Sequence, residues 1–139
     1  MDVRVKTIPQ HFEVGKQLIL EWDIVYNLIE GTKMSYLYFE NIEVANSFLY
    51  MDHDIALHRL IGNRANVSIT YNQIIVTIEK LEPTDVFEFT GIAVAGEYNE
   101  MPFTSNKSII IKATPGIIKI KTARSCTAGF NFECTIVQH

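Results

Sequence analysis

Residues 66–95 read NVSITYNQIIVTIEKLEPTDVFEFTGIAVA, and this stretch indicates the class of fold. It contains three runs rich in Val, Ile, Thr and Tyr, the residues that suit a pleated, half-buried strand. Asn72-Gln73 lies between the first two runs and predicts a tight hairpin turn. Before the third run, Pro83 fixes φ and Asp85 can accept hydrogen bonds from nearby backbone amides, which predicts a corner. The stretch therefore predicts three consecutive strands of an all-β fold.

The composition limits the class of protein. A chain of 139 residues suggests one domain, and it can bury a core without a metal or a disulfide. The net charge of -4 and the absence of a basic run argue against nucleic acid. The mean hydropathy of +0.10 is high for a soluble domain, which suggests a well-filled core or a partner-binding face. No apolar run reaches the ~18 residues of a membrane span, and no signal-peptide pattern is present.

The spacing of five residues resembles the segment that leads into strand F of immunoglobulin domains. These residues are Val76, Ile78, Leu81, Asp85 and Phe89. Arg64 lies 21 residues before Asp85, near the place where variable-type domains carry the arginine that pairs with this aspartate. The resemblance covers roughly residues 3 to 113. It implies a V-set-like, two-sheet Greek-key sandwich with an Arg64–Asp85 ion pair, and by itself it says little about function.

The sandwich expected from this resemblance lacks the usual disulfide between strands B and F. Trp22 stands where strand B should carry its cysteine, and Gly91 stands where strand F should carry the other. A large indole facing a glycine is volume-complementary, and close packing favours such a pair. We therefore expect Trp22 to be buried against Gly91.

The chain divides into a domain and a tail. We expect residues 1–113 to form the V-set-like domain that the resemblance implies, and Thr114-Pro115-Gly116 looks like a boundary. Residues 114–139 are either a C-terminal β extension or the start of a following domain. Both cysteines lie in this tail, and a hairpin across AGFN would join Cys126 to Cys134 in a disulfide. A pair of reduced thiols is the alternative, and no metal-type Cys/His spacing is present.

Residues 33–40 predict a strand whose side chains alternate between core and solvent. The resemblance places Tyr36 where the family's core tryptophan usually sits. The inward set is then Met34, Tyr36 and Tyr38, and the outward set is Ser35, Leu37 and Phe39.

The neighbouring segments complete this predicted sheet. Residues 43–51 predict a second strand that ends in Phe48-Leu49-Tyr50, and residues 54–60 predict a short edge strand. In the strand from Val86 to Ala95, the same alternation turns Ile92 and Val94 outward. Residues 96–107 predict a long loop, and residues 108–113 predict the last strand of the domain.

The outward residues predict an apolar patch. An outer sheet face in water should be polar, so Leu37, Phe39, Ile92 and Val94 on adjacent strands indicate an interaction site. Variable-type domains pair through this GFCC′ face, which implies that Phe48 and Tyr50 on the next strand also contact the partner. Alternatively, the alternation is offset by one residue, or the tail folds over this face.

Further signals are weaker. Asn66-Val67-Ser68 and Asn106-Lys107-Ser108 fit the N-glycosylation pattern, so both asparagines are candidate acceptors. The run 52–54 (DHD), with His58 nearby, is better explained as a solvated turn than as a metal site. No catalytic motif is present, so we expect no enzyme activity, no metal and no cofactor.

The leading functional hypothesis is a cell-surface recognition domain. Within the immunoglobulin superfamily, the missing core cysteines and the cysteine-containing tail are similar to the membrane-distal domains of hydroid allorecognition receptors. This resemblance implies homophilic binding to a like domain, with the chain as a mature ectodomain fragment of a single-pass receptor. It would then meet the membrane only through other parts of that receptor. The alternatives are a viral or microbial adhesin that binds a host protein or glycan, and an intracellular structural module.

Overall fold

The computed structural model describes residues 2–7, 12–27, 31–48, 53–96, 103–125 and 133–138, which form ten strands and one helix. The strands are β1 Asp2–Thr7, β2 Leu18–Asn27, β3 Thr32–Phe39, β4 Ile42–Asn46, β5 Ala65–Thr70, β6 Gln73–Ile78, β7 Val86–Gly96, β8 Phe103–Lys112, β9 Ile117–Ser125 and β10 Glu133–Gln138, and the helix is α1 His53–Ile61.

The strands form two antiparallel sheets that pack together as a β-sandwich. The first sheet has the order β1-β2-β6-β5, and the second has the order β10-β9-β8-β7-β3-β4. Burial alternates along β2, β6 and β7, as it must when one face of each strand lies in the core. The prediction of an all-β, two-sheet sandwich is confirmed at this level.

Two hairpins show how local sequence sets the register. Thr70 pairs with Gln73, so the turn is Tyr71-Asn72, one residue earlier than predicted. The turn between β3 and β4 is Glu40-Asn41, and both residues have positive φ, of 48° and 68°. Two positive φ values in a two-residue loop define a type I′ turn, whose twist matches that of the flanking strands.

The centre of the core joins the two sheets through Trp22 and Gly91. Trp22 is fully buried, and its Nε1–H donates to the Lys107 carbonyl oxygen at 2.9 Å. A Cβ atom built on Gly91 would lie 2.7 Å from Trp22 Cδ1, closer than real contacts allow. The glycine therefore provides the space that the indole fills, as its sequence position predicts.

Arg64 and Asp85 link the sheets at one end of the sandwich. Arg64 precedes β5 and Asp85 precedes β7, and the two side chains form a bidentate pair with N–O distances of 2.8 and 2.5 Å. Asp85 also accepts from the Glu82 backbone N–H at 2.7 Å. The arginine lies 5.6 Å from the centroid of the Phe87 ring, which adds a cation–π contact. This is the ion pair that the resemblance to variable-type domains implies.

The predicted orientation of β3 is wrong. Ser35, Leu37 and Phe39 are buried, with Leu37 at 0% and Phe39 at 7% exposure, whereas the residues between them are half-buried on the other face. The Ser35 hydroxyl donates to the Thr70 carbonyl oxygen of the first sheet at 2.7 Å, so this polar residue is satisfied in the core. A shift of one residue moves every side chain of a strand to the opposite face.

The edge strand predicted at residues 54–60 is also wrong, because the segment is helix α1. Leu57 is fully buried and Ile61 packs against the core, four residues away on the same helix face. The helix ends where the Gly62 N–H donates to the His58 carbonyl oxygen at 2.9 Å, with Gly62 at a φ of 81°. The helix lies beside β4 and β5, the edge strands of the two sheets.

The chain beyond residue 113 continues the second sheet. β9 pairs with β8 from Ile117 to Arg124, and residues 113–116 form the turn of that hairpin. The loop predicted at 96–107 is shorter, because β8 begins at Phe103. β10 pairs with β9 in a register that sets Cys134 opposite Arg124. Cys126 lies outside the described residues, so its disulfide stays a prediction.

Candidate interaction surface

The outer face of the second sheet carries a set of half-buried apolar and tyrosine side chains. Cross-strand pairing places Tyr36 opposite Ile92, and Met34 opposite Val94. We call this set the tyrosine face, and its members are Met34, Tyr36, Tyr38, Ile92, Val94 and Ile110.

The chemistry of tyrosine explains why β3 adopts this orientation. A tyrosine has an apolar ring and a hydroxyl that prefers water or a hydrogen-bond partner, so it suits a sheet surface better than a closed core. The Tyr36 hydroxyl has only the Met34 sulfur as a described partner, at 3.6 Å, which is a weak contact. On the opposite face, Leu37 fills the core with no polar group to satisfy.

Beyond most of the tyrosine face, the outer face of the second sheet continues from β7 onto β8 and β9. Thr90 lies beside Tyr38, and its hydroxyl is 2.7 Å from that of Ser108, so an internally paired polar group separates Ile110 from the other members of the face. Ile110 lies beyond this pair. At the far end, Val86 and Ile117 are 57% and 40% exposed on either side of Lys112.

Charges of opposite sign lie on the two flanks of this face. Glu43 of β4 is exposed and pairs with Tyr38 of β3, while on β9 Lys121 pairs with Ser108 and the exposed Lys119 lies two residues away. Burial, the Glu43 charge and the neighbouring Tyr38 all raise the pKa of Tyr36 above its ordinary value. The Tyr36 ring lies near the Glu43 charge on one side and beside Ile92 on the other.

The residues predicted to bind a partner are only partly brought together. Ile92 and Val94 lie on the tyrosine face, as their alternation predicts. Leu37 and Phe39 do not, because both are core residues. Phe48 is 69% exposed just beyond the end of β4, and Tyr50 lies outside the described residues.

The sequence pattern did not reveal four members of the face. They are Met34, Tyr36, Tyr38 and Ile110. Three of them follow from the reversed orientation of β3. Ile110 was hidden in the run Ile109-Ile110-Ile111, where alternation alone cannot tell the inner residues from the outer one. The signal that would have found the β3 residues is the pair of tyrosines at i and i+2, since tyrosine hydroxyls favour the wet face.

The outer face of the first sheet has a different character. Its central isoleucine, Ile75, is half-buried between Glu21 of β2 and Ser68 of β5. Asn66, the first glycosylation candidate, is exposed on this face, on edge strand β5. Asn106, the second candidate, is half-buried on the other sheet, beside Ile92.

Other kinds of site have little support in the described part of the chain. There, no group of three His, Cys, Asp or Glu residues is arranged to hold a metal ion. Of the predicted turn at 52–54, Asp52 lies outside the described residues, whereas His53 and Asp54 belong to helix α1 and their side chains are not described. Among the described helices, none has the length and apolar character that crossing a bilayer requires. Comparisons with protein-family models, with curated protein sequences and with solved structures find no match.

Proposed function

We propose that the chain is a divergent, variable-type immunoglobulin-like recognition domain that binds a second copy of itself through the tyrosine face. The observation that carries the proposal is the face itself, a surface with two tyrosines and aliphatic neighbours on an outer sheet face. Antiparallel sheets normally present polar residues on the side that meets water. A half-buried apolar set at the centre of such a face is typical of an interaction site.

The strand order supports the immunoglobulin-like part of the proposal. The first sheet, β1-β2-β6-β5, corresponds in order to strands A, B, E and D of immunoglobulin domains. Within the second sheet, β8-β7-β3-β4 corresponds to strands G, F, C and C′. Helix α1 takes the place of a strand between C′ and D, and β9 and β10 are additions beyond G. The tyrosine face is then the face through which variable-type domains pair.

The composition of the tyrosine face supports a protein partner. Tyrosine is enriched at interfaces because it brings a large, rigid apolar area and a hydroxyl with only two rotatable angles. Neighbouring strands lie about 4.8 Å apart and successive residues about 3.4 Å, so the six residues of the face, on three strands, cover about 10 Å by 20 Å and project roughly 200 Å². Specific interfaces bury about 800 Å² on each partner, so a contact built on this face should be weak and transient.

A like domain is the partner that needs the fewest assumptions. A two-fold axis through the face lets its apolar residues meet their own copies, which is the geometry of an isologous dimer. We further propose that the chain is part of the ectodomain of a cell-surface receptor of the allorecognition type. A weak homophilic contact suits that role, because many copies that bind together on apposed cells give an avidity well above the affinity of one contact.

The first experiment is sedimentation velocity of the purified chain at increasing concentration. The proposal predicts a concentration-dependent rise in the average sedimentation coefficient. Tyr36→Asp should abolish the rise while circular dichroism remains that of the parent, since the side chain points away from the core. A wild-type chain that stays monomeric into the millimolar range, or a Tyr36→Asp chain that still associates, would contradict self-association through this face.

A further inference from the structure

We propose that the two charged flanks set the orientation of the self-contact, so that Glu43 of each copy faces Lys121 of the other. This inference rests on the proposed function and adds the geometry and the source of specificity. It follows from where the two residues lie in the second sheet, rather than from their charges alone.

Glu43 and Lys121 lie in one cross-strand row. Glu43 pairs with Tyr38, Tyr38 with Thr90, Thr90 with Ser108 and Ser108 with Lys121. Residues that pair directly across an antiparallel sheet share a face, so all five point outward. The row crosses β4, β3, β7, β8 and β9 and spans about 19 Å at the usual strand spacing of about 4.8 Å.

β7 is the middle strand of that row, and this fixes the symmetry. Glu43 lies two strands to one side of β7, and Lys121 lies two strands to the other, about 10 Å away in each direction. A two-fold axis parallel to β7 and lying between the two faces exchanges these flanks. It therefore brings Glu43 of one copy over Lys121 of the second copy, twice in each dimer.

The same axis places apolar residues on its own line. Ile92 and Val94 belong to β7, so each approaches its symmetry mate at the centre of the contact. Packed sheets cross at about 30°, so the axis is inclined by about 15° to β7, and groups about 10 Å from it are offset from each other by about 5 Å. Lysine and glutamate side chains are long enough to absorb that shift. The apolar centre then supplies attraction and the charged flanks select the orientation.

Neither flank is neutralised within the described part of the molecule. In that part, the salt bridge that the structure shows joins Arg64 to Asp85, and neither Glu43 nor Lys121 has an ion-pair partner. Glu43 is exposed and Lys121 is half-buried at the surface. Among the described side chains, nothing occupies either charge, so a partner can contact both.

A charge-swap experiment tests this orientation with three samples. Glu43→Lys alone sets two lysines opposite each other at both flanks, and Lys121→Glu alone sets two glutamates opposite each other. Each variant should self-associate at least about tenfold more weakly than the parent, because like charges facing each other penalise the contact. An equimolar mixture of the two variants should associate about as well as the parent, because both flanks then pair Lys with Glu.

The outcomes separate this inference from the proposed function. If the parent associates but the mixture is no stronger than the single variants, the two-fold axis parallel to β7 is wrong and self-association stands. If the parent does not associate and the mixture does not either, the proposed function fails as well. Raising the salt concentration should weaken self-association in the mixture and strengthen it in each single variant, because salt screens both the attraction between Lys and Glu and the repulsion between like charges. The absence of that crossover would also overturn the pairing.

Discussion

The outer faces of the two sheets differ although each is built around a half-buried isoleucine on an inner strand. On the first sheet, Ile75 lies between Glu21 and Ser68, so it is isolated among polar neighbours. On the second sheet, Ile92 lies between Tyr36 and Asn106 and two residues from Val94, so its apolar surface continues onto β3 and along β7. Single apolar residues on a surface are ordinary, whereas a contiguous set indicates a binding site. The difference lies in the cross-strand neighbours and not in the isoleucine.

The most severe substitution tests whether the second sheet has been assigned its correct faces. Phe39 packs against Phe89 and Phe87, with ring centroids 4.9 and 6.0 Å away. Phe39→Asp removes the ring and buries a charge, so it should cost more than the ~3–5 kcal/mol typical of Phe→Ala and unfold the chain. Tyr38→Asp, one residue away on the tyrosine face, should leave the fold intact. Thermal unfolding followed by circular dichroism distinguishes the two variants, and equal melting temperatures would contradict the assignment of Phe39 to the core and Tyr38 to the surface.

The second prediction concerns the contact that holds the sheets together. Gly91→Val places methyl groups where Trp22 already lies, so it should destabilise the chain by about 1–3 kcal/mol through overpacking. A denaturant titration measures this as a lower midpoint. Because Gly91 points away from the tyrosine face, the folded variant should self-associate like the parent. An unchanged midpoint would show that the indole can move aside.

The third prediction concerns the Arg64–Asp85 pair, whose side chains are 26% and 6% exposed. Burial raises the pKa of the Asp85 carboxyl. The hydrogen bonds from Arg64 and from the Glu82 N–H lower it by more than burial raises it, so the pKa lies below its ordinary value. A carboxyl whose pKa is lowered by folding stabilises the fold at pH values above its pKa in the unfolded chain, about 3.9. That contribution is lost as the pH falls from there through the pKa in the folded chain.

Two measurements test this pair. A double-mutant cycle of Arg64→Ala and Asp85→Ala at neutral pH should give a coupling of about 2 kcal/mol, above the ~0–1 kcal/mol of a surface pair. The parent should also lose more stability than Asp85→Asn when the pH is lowered from 6 to about 3. Parallel loss in both chains would mean that other carboxyls cause the acid sensitivity.

The mildest substitution changes association alone. Glu88 lies on β7, so a two-fold axis parallel to that strand brings two Glu88 carboxylates toward each other. Glu88→Gln should strengthen self-association by roughly two- to fivefold, in keeping with the ~0.2–1 kcal/mol of surface charge interactions. Its melting temperature should match that of the parent. Sedimentation equilibrium gives the association constant, and weaker association would argue against this axis.

Sequence alone identified the parts of the fold where one residue type has few alternatives. Trp22 needs a small residue opposite it, and only Gly91 at the matching position provides the space. The pairing of Arg64 with Asp85 follows from the resemblance to variable-type domains, which carry an arginine and an aspartate at these places. These residues restrict the fold because an error in their placement would leave a clash or an unpaired charge.

The misread segments had no such restriction. The run Ser35-Tyr36-Leu37-Tyr38-Phe39 is apolar or aromatic at four of five positions, so either alternation looks acceptable. In the assembled sandwich one alternation is adopted, in which Leu37 fills the core and the Ser35 hydroxyl donates to the Thr70 carbonyl oxygen of the other sheet. In the helix, Leu57 and Ile61 carry a four-residue period that nine residues make hard to see. Half of the candidate face was lost with the orientation of β3.

The most direct test of the tyrosine face substitutes the two matched isoleucines in turn. Ile92→Asp and Ile75→Asp introduce the same charge at half-buried, outward positions of inner strands, so their costs to folding should be similar. Sedimentation velocity of both variants and the parent at matched concentrations then reports association alone. We expect Ile92→Asp to be monomeric at concentrations where the parent and Ile75→Asp associate equally. Equal association of both variants, or loss of association in Ile75→Asp alone, would contradict the assignment of the tyrosine face as the binding surface.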